Sequence, residues 1–186
     1  YQADWVEPVA VPFRGHTVHE IPPNGVGLAA LMALGMLEHL PFEDAPEGSA
    51  ARMHLELEAM RLAFADLHTH VADPAHMHVT AAQLLDSSYL QQRARCINPQ
   101  RAGQHTAGTP ASGGTVYLCA ADAQGRMVSF IQSNYRGFGS GVVVPGTGIA
   151  LHNRGTGFVT TPGHPNEVGG GKRPLHSIIP AFLTKD

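Results

Sequence analysis

The 186-residue chain reads as an α+β fold, helical in its first half and antiparallel β in its second. Three observations predict it. Apolar residues recur at helical spacing up to about residue 95. Residues 98–114 are then rich in glycine and proline and poor in apolar groups. Beyond them, short apolar stretches alternate with glycine-rich turns to the end of the chain.

The elements follow in order. Pro8, Pro12, Pro22 and Pro23 make residues 1–23 irregular, with one short strand expected over residues 14–20. Asn24-Gly25 opens a helix that runs to about Leu40. Its apolar run, residues 26–37, is too short to span a bilayer and is expected to be core. Residues 41–48 form a loop. A second helix over residues 49–70 places Leu55, Ala59 and Leu62 on one face and ends before Asp73-Pro74. Thr80 and Gln83 form a capping box that starts a third helix, predicted to reach about Arg95. After the glycine-rich linker, Thr115-Val116-Tyr117-Leu118-Cys119-Ala120 is a strand and Asp122-Ala123-Gln124-Gly125 a hairpin turn. Arg126-Met127-Val128-Ser129-Phe130-Ile131-Gln132-Ser133 returns, and a last strand is expected over residues 177–184.

Bulk chemistry narrows the function classes. Lys plus Arg number 12 and Asp plus Glu 15, a net charge of -3 without long charged blocks. This argues against nucleic acid or an anionic membrane as partner. Cys96 and Cys119 make no disulfide framework; Cys119, in an apolar strand, is expected to be a buried thiol. His68, His70, His76 and His78 flank a proline break with no completing acid or cysteine pattern, so no metal is assigned. Gly169-Gly170-Gly171-Lys172 lacks the spacing and the hydroxyl residue of a phosphate loop. No secretory signal stands at Tyr1, which sets the expectation at the cytoplasm; the first residue is not Met, which suggests an internal piece of a longer protein.

Taken alone, Gly113-Gly114-Thr115 reads as a glycine loop entering a strand, and its catalytic reading comes from the motifs that follow it. A threonine at a freshly exposed chain end carries a nucleophilic hydroxyl and, in its own α-amine, the base that activates it. Gly113-Gly114 lend the preceding peptide freedom, and the strand after Thr115 fixes its place.

This segment is followed by Gly137-Phe138-Gly139-Ser140-Gly141, by Val144-Pro145-Gly146-Thr147-Gly148-Ile149 and by Gly171-Lys172-Arg173-Pro174-Leu175-His176-Ser177. In this order the motifs resemble the γ-glutamyltranspeptidase family of N-terminal nucleophile hydrolases. The resemblance covers most of the chain. It implies self-cleavage between Gly114 and Thr115, with Thr115 as nucleophile and Ser133 as the hydroxyl residue that bonds it. It implies that residues 1–97 are the helical end of a large subunit, 98–114 a linker before the cut, and 115–186 the start of a small subunit. The two products would form a heterodimer, part of an αββα sandwich completed by the remaining parts of both subunits. No cofactor is needed.

Departures from the common pattern are informative. Val116 stands where the family has a second threonine, and Tyr135 where it has an asparagine. Arg154 and Gly157 replace the glutamine and aspartate that hold a glutamyl ammonium, and His176-Ser177 replace a serine pair. Losing a carboxylate and gaining a cation favours an anionic group, because Arg forks onto carboxylates. Residues 160–170 leave no room for the family's long lid loop. With His152-Asn153-Arg154-Gly155, these features resemble the amidohydrolase branch that includes oxamate amidohydrolase and cephalosporin-acylase-like proteins. The resemblance therefore implies hydrolysis of a small carboxylate-bearing amide, with Tyr135, Arg154, His176 and Ser177 binding substrate. Glutathione hydrolysis or γ-glutamyl transfer is the alternative, and a decayed scaffold a third. The family's oxyanion glycine pair is not found before Asp186, so this stretch is expected to be incomplete as an enzyme.

Overall fold

The computed structural model describes residues 4–104 and 115–185. Four α-helices and five strands are found there. The first two strands, β1 (Val9–Phe13) and β2 (His16–Glu20), form an antiparallel hairpin around Arg14-Gly15, with Val11 opposite Val18. The sequence predicts irregular chain at β1 because of Pro12. The proline is tolerated because, among the described residues, β1 pairs on one side only and so forms an edge. Arg14 and Gly15 both take left-handed backbone angles at the turn, with φ 51° and 72°.

Helix α1 (Gly27–Leu37) is apolar on nearly every side and lies at the centre of the core. Leu28, Met32 and Met36 pack with Leu55, Ala59, Leu62 and Leu67 of α2 (Ala50–His70). Ser49 caps α2 by accepting from the Arg52 amide at 3.2 Å. Gly35 lets α1 approach its neighbour closely: a Cβ there would come within 2.5 Å of Leu90.

The predicted third helix is two. The Thr80–Gln83 capping box opens α3 (Ala81–Leu84), but Asp86 then accepts from the Ser88 and Tyr89 amides and starts α4 (Ser87–Ala94). An aspartate that bonds downstream amides is a helix start and not a helix interior. A second acid ties α4 to α2: Asp66 takes the Arg93 fork at 2.8 and 2.7 Å and the Tyr89 hydroxyl at 3.0 Å. Burial, reinforced by the Asp66 charge, pushes the Tyr89 phenol up to about 12. Asp66→Ala is expected to cost about 2 kcal/mol in a urea melt, the lower end for a broken partly buried ion pair because Arg93 retains access to water. An unchanged midpoint would show that the cluster contributes nothing to stability.

In the second half, β3 (Thr115–Ala121) and β4 (Met127–Ser133) form an antiparallel hairpin. Asp122 closes the turn by accepting from the Gln124 and Arg126 amides, and Gly125 takes φ 80°. Cys119 is exposed on this hairpin, which corrects the expected buried thiol: apolar residues on both faces, among them Tyr117, Leu118 and Phe130, are uncovered by other described residues. The last strand is shorter than predicted, β5 (Phe182–Thr184), and it adds to β2 with Val18 opposite Leu183. The three-stranded sheet β1-β2-β5 therefore joins the two ends of the chain, which corrects the picture of a helical half followed by a β half. The fold is a mixture of helices and antiparallel sheet. Among the described residues no helix is long and apolar enough to cross a membrane.

Candidate active site

The β3–β4 register brings Thr115 opposite Ser133. Directly paired residues in an antiparallel ladder have Cα atoms about 4.5–5.5 Å apart. Gly114, the other half of the predicted cleavage bond, lies outside the described residues. The preceding segment is held on α2, where His54 Nε2 meets the Asn98 carbonyl at 2.9 Å and Glu58 accepts from the Gly103 amide at 2.7 Å.

Past Ser133 the chain turns sharply. The Ser133 hydroxyl accepts from the Tyr135 amide at 2.9 Å, and Tyr135 adopts φ 75°, a left-handed conformation rare for an aromatic residue. Strain of this kind persists only where surrounding contacts over-determine the backbone. Here they do: the Asn153 amide donates to the Asn134 carbonyl at 3.3 Å, and the Arg136 amide donates to Asn153 Oδ1 at 3.1 Å. These bonds stitch residues 134–136 to residues 152–154.

The stitching delivers Arg154. It begins a short 3-10 turn (Arg154–Gly157), and its side chain is only 2% exposed. The guanidinium lies over the Tyr135 ring at 4.7 Å and donates through Nη1 to the Ser177 hydroxyl at 2.5 Å. Among the described residues its Nε and Nη2 have no hydrogen-bond partner. Burial pulls the Arg154 pKa below its usual value, yet guanidinium stays charged across the working pH range. His152 accepts from the Arg154 amide through Nδ1 at 3.2 Å, and its ring meets the His176 ring edge-on at 6.1 Å. Burial first, then the charges of Arg154 and His152, push His176 down to about 4, so it is neutral near pH 7. The structure thus gathers Tyr135, Arg154, His176 and Ser177 into one place, two residues downstream of the Thr115–Ser133 rung.

Three residues that sequence reasoning did not single out hold this place together. Asn24 of the first half donates to the Pro174 carbonyl at 2.7 Å, while backbone bonds join Val26 to His176 and His176 to Asn24 at 2.8 and 2.9 Å. Buried Asn166 donates to the Gly157 carbonyl at 2.6 Å and accepts from the Leu175 amide at 3.2 Å. Gly139, at φ 69°, sits so close to Leu151 that a Cβ would fall 2.4 Å from its carbonyl oxygen. The double proline before Asn24 and the glycine cluster around Gly139 were the available signals. Gly157 is crowded too: a Cβ there would meet the Leu175 carbonyl at 3.2 Å. An aspartate at that position would need its neighbour to shift.

Among the described residues no group of three or more His, Cys, Asp or Glu is placed to hold a metal ion. His68, one of the weighed histidines, stacks on Phe64 at 5.8 Å instead.

Known proteins bear on this arrangement. The chain is 35% identical over 185 residues to the glutathione hydrolase-like YwrD proenzyme of Bacillus subtilis, covering 100% of this chain and 35% of that one. It is 38% identical over 174 residues to the oxamate amidohydrolase proenzyme of Klebsiella pneumoniae, covering 94% of this chain and 32% of the relative. A cephalosporin acylase from Bacillus halodurans superposes with a TM-score of 0.89 at 48% identity, over 100% of this chain and 33% of the acylase. The chain thus spans about a third of the length of the relatives it matches. The gamma-glutamyltranspeptidase family model matches residues 1–186 from end to end, and the chain belongs to that family.

Proposed function

We propose that the chain is part of a self-cleaving amidohydrolase with an N-terminal threonine, acting on a small amide that bears a carboxylate. The observation that carries this is the pairing of Thr115 with Ser133, two residues before Tyr135, whose ring lies against a buried arginine with Nε and Nη2 unpaired among the described residues. In the first stage the Thr115 hydroxyl attacks the Gly114 carbonyl, the peptide C–N bond breaks, and the α-amine of Thr115 leaves with the proton. Water then hydrolyses the ester. In the second stage the freed amine takes the proton from the Thr115 hydroxyl as its oxygen attacks the substrate amide. The amine returns the proton to the leaving nitrogen, and water releases the acid from the acyl-enzyme.

Ser133 orients the nucleophile, and Arg154 receives the substrate carboxylate. The Arg154 environment favours this substrate class over a glutamyl amide: a cation beside a neutral imidazole, with glycine at position 157, brings no carboxylate to pair with an ammonium group. Oxamate, in the name of one relative, is the amide of a carboxylic acid of this kind. Residues 1–97 would end a large subunit and residues 115–186 begin a small one, within an αββα sandwich. The chemistry calls on no cofactor, because nucleophile and base share one residue.

Intact mass spectrometry tests the first stage: two polypeptides meeting at Gly114/Thr115 are expected. Ammonia release from monoamides of short dicarboxylic acids tests the second. One uncut chain with no amide hydrolysis, in the full-length protein that contains these residues, would overturn the proposal.

A further inference from the structure

Resting on the carboxylate role of Arg154, we infer that Ser177 and Tyr135 are positioning residues that aim one edge of its guanidinium and so make the pocket selective for a planar carboxylate. A guanidinium has two edges able to grip a carboxylate: Nε with Nη2 along the side, and Nη1 with Nη2 at the end. In this structure Nη1 is taken by the Ser177 hydroxyl, while Nε and Nη2 have no partner among the described residues. The free pair is a complete side-on fork. The guanidinium carbon lies over the Tyr135 ring, 4.7 Å from its centroid, and this contact restrains its tilt. A group with one nitrogen tied and one face covered cannot swing about its last torsions, so little rotamer freedom remains to be lost when an anion arrives.

The same geometry argues that the fork awaits a ligand. Arg154 is 2% exposed, so two of its donors sit away from water with no partner among the described residues. Unpaired buried charges are costly, and removing that cost is a driving force for binding an anion. Two donors in one plane match the two coplanar oxygens of a carboxylate better than the pyramidal oxygens of a sulfonate. Ser177 matters because it removes the alternative edge. With its hydroxyl gone, Nη1 becomes a third unsatisfied donor and the guanidinium can turn end-on.

The test uses two probes of equal charge and similar length, butyrate and propane-1-sulfonate, in calorimetric titrations of the protein. The Nε–H resonance of Arg154, assigned by its loss in Arg154→Lys, reports the contact independently of turnover. Butyrate is expected to shift that resonance and to bind about tenfold more tightly than the sulfonate, a difference of about 1.4 kcal/mol. Ser177→Ala is expected to weaken butyrate binding about tenfold and bring the preference to about twofold, and Ser177→Thr, which keeps the hydroxyl, to restore it. Butyrate affinity and preference unchanged in Ser177→Ala, with Arg154→Met losing both, would overturn the positioning role alone. Binding unchanged in Arg154→Met, or absent from the wild type, would overturn the carboxylate reading beneath it.

Discussion

Thr115→Ala is expected to leave one uncut polypeptide and to abolish amide hydrolysis. The methyl side chain has no hydroxyl to attack the Gly114 carbonyl, so the α-amine that would serve as base is never freed. Both stages of the chemistry therefore fail from one substitution, and the loss in kcat is expected to be on the order of 10⁴-fold or more, as for other covalent nucleophiles. Thr115→Ser separates chemistry from folding. It keeps a hydroxyl and, after the cut, an α-amine, so it is expected to cleave and to retain measurable hydrolysis. Intact mass and ammonia release read both variants. Cleavage between residues 114 and 115 in Thr115→Ala would sink the proposal, since another group would then be making the cut.

The two halves of the site differ in how far they were legible in the sequence. The β3–β4 hairpin was readable because its determinants are local: apolar strands flank Asp122-Ala123-Gln124-Gly125, and the aspartate caps its own turn. Register follows from turn length, so the Thr115–Ser133 pairing was in effect written there. The burial of Arg154 was not. Arginine is usually solvated, and what buries this one comes from Tyr135, Ser177 and the Asn166 brace, all distant in sequence. Resemblance placed these residues in one pocket, but their hydrogen bonds needed coordinates. The misjudged third helix and the missed β1 have a common cause. Asp86 and Pro12 each have two meanings, and tertiary context decided between cap and interior, or edge and loop. Cys119 failed for another reason: apolarity shows that a strand will be covered, and not what covers it.

Glu20→Gln and His176→Asn are expected to change the pH dependence of stability in opposite directions. Glu20 ends β2 and is 3% exposed; among the described residues its Oε2 has no hydrogen-bond partner, and it lies against Gly27, where a Cβ would approach to 2.5 Å. Burial pushes its carboxyl up to about 7 from 4.5. The folded protein thus keeps a proton that the unfolded chain releases, and stability falls as pH rises. The contribution is intact below pH 4.5 and lost once the pH passes about 7, amounting to about 3 kcal/mol. His176 works the other way. Its folded pKa is about 4 against 6.5, so its contribution is intact above pH 6.5 and lost as pH falls through 4, again by about 3 kcal/mol. Between pH 4.5 and 6.5 the two slopes oppose each other. Glu20→Gln removes the falling term, so the variant is expected to gain stability with rising pH across this window. His176→Asn removes the rising term, so that variant is expected to lose stability over the same range. Urea midpoints at half-unit pH steps read both. Parallel curves for all three proteins would mean that neither group is buried as described. Both groups adjoin the Pro22-Pro23-Asn24-Gly25 segment: Glu20 precedes it with one residue between, and His176 exchanges backbone hydrogen bonds with Asn24 and Val26.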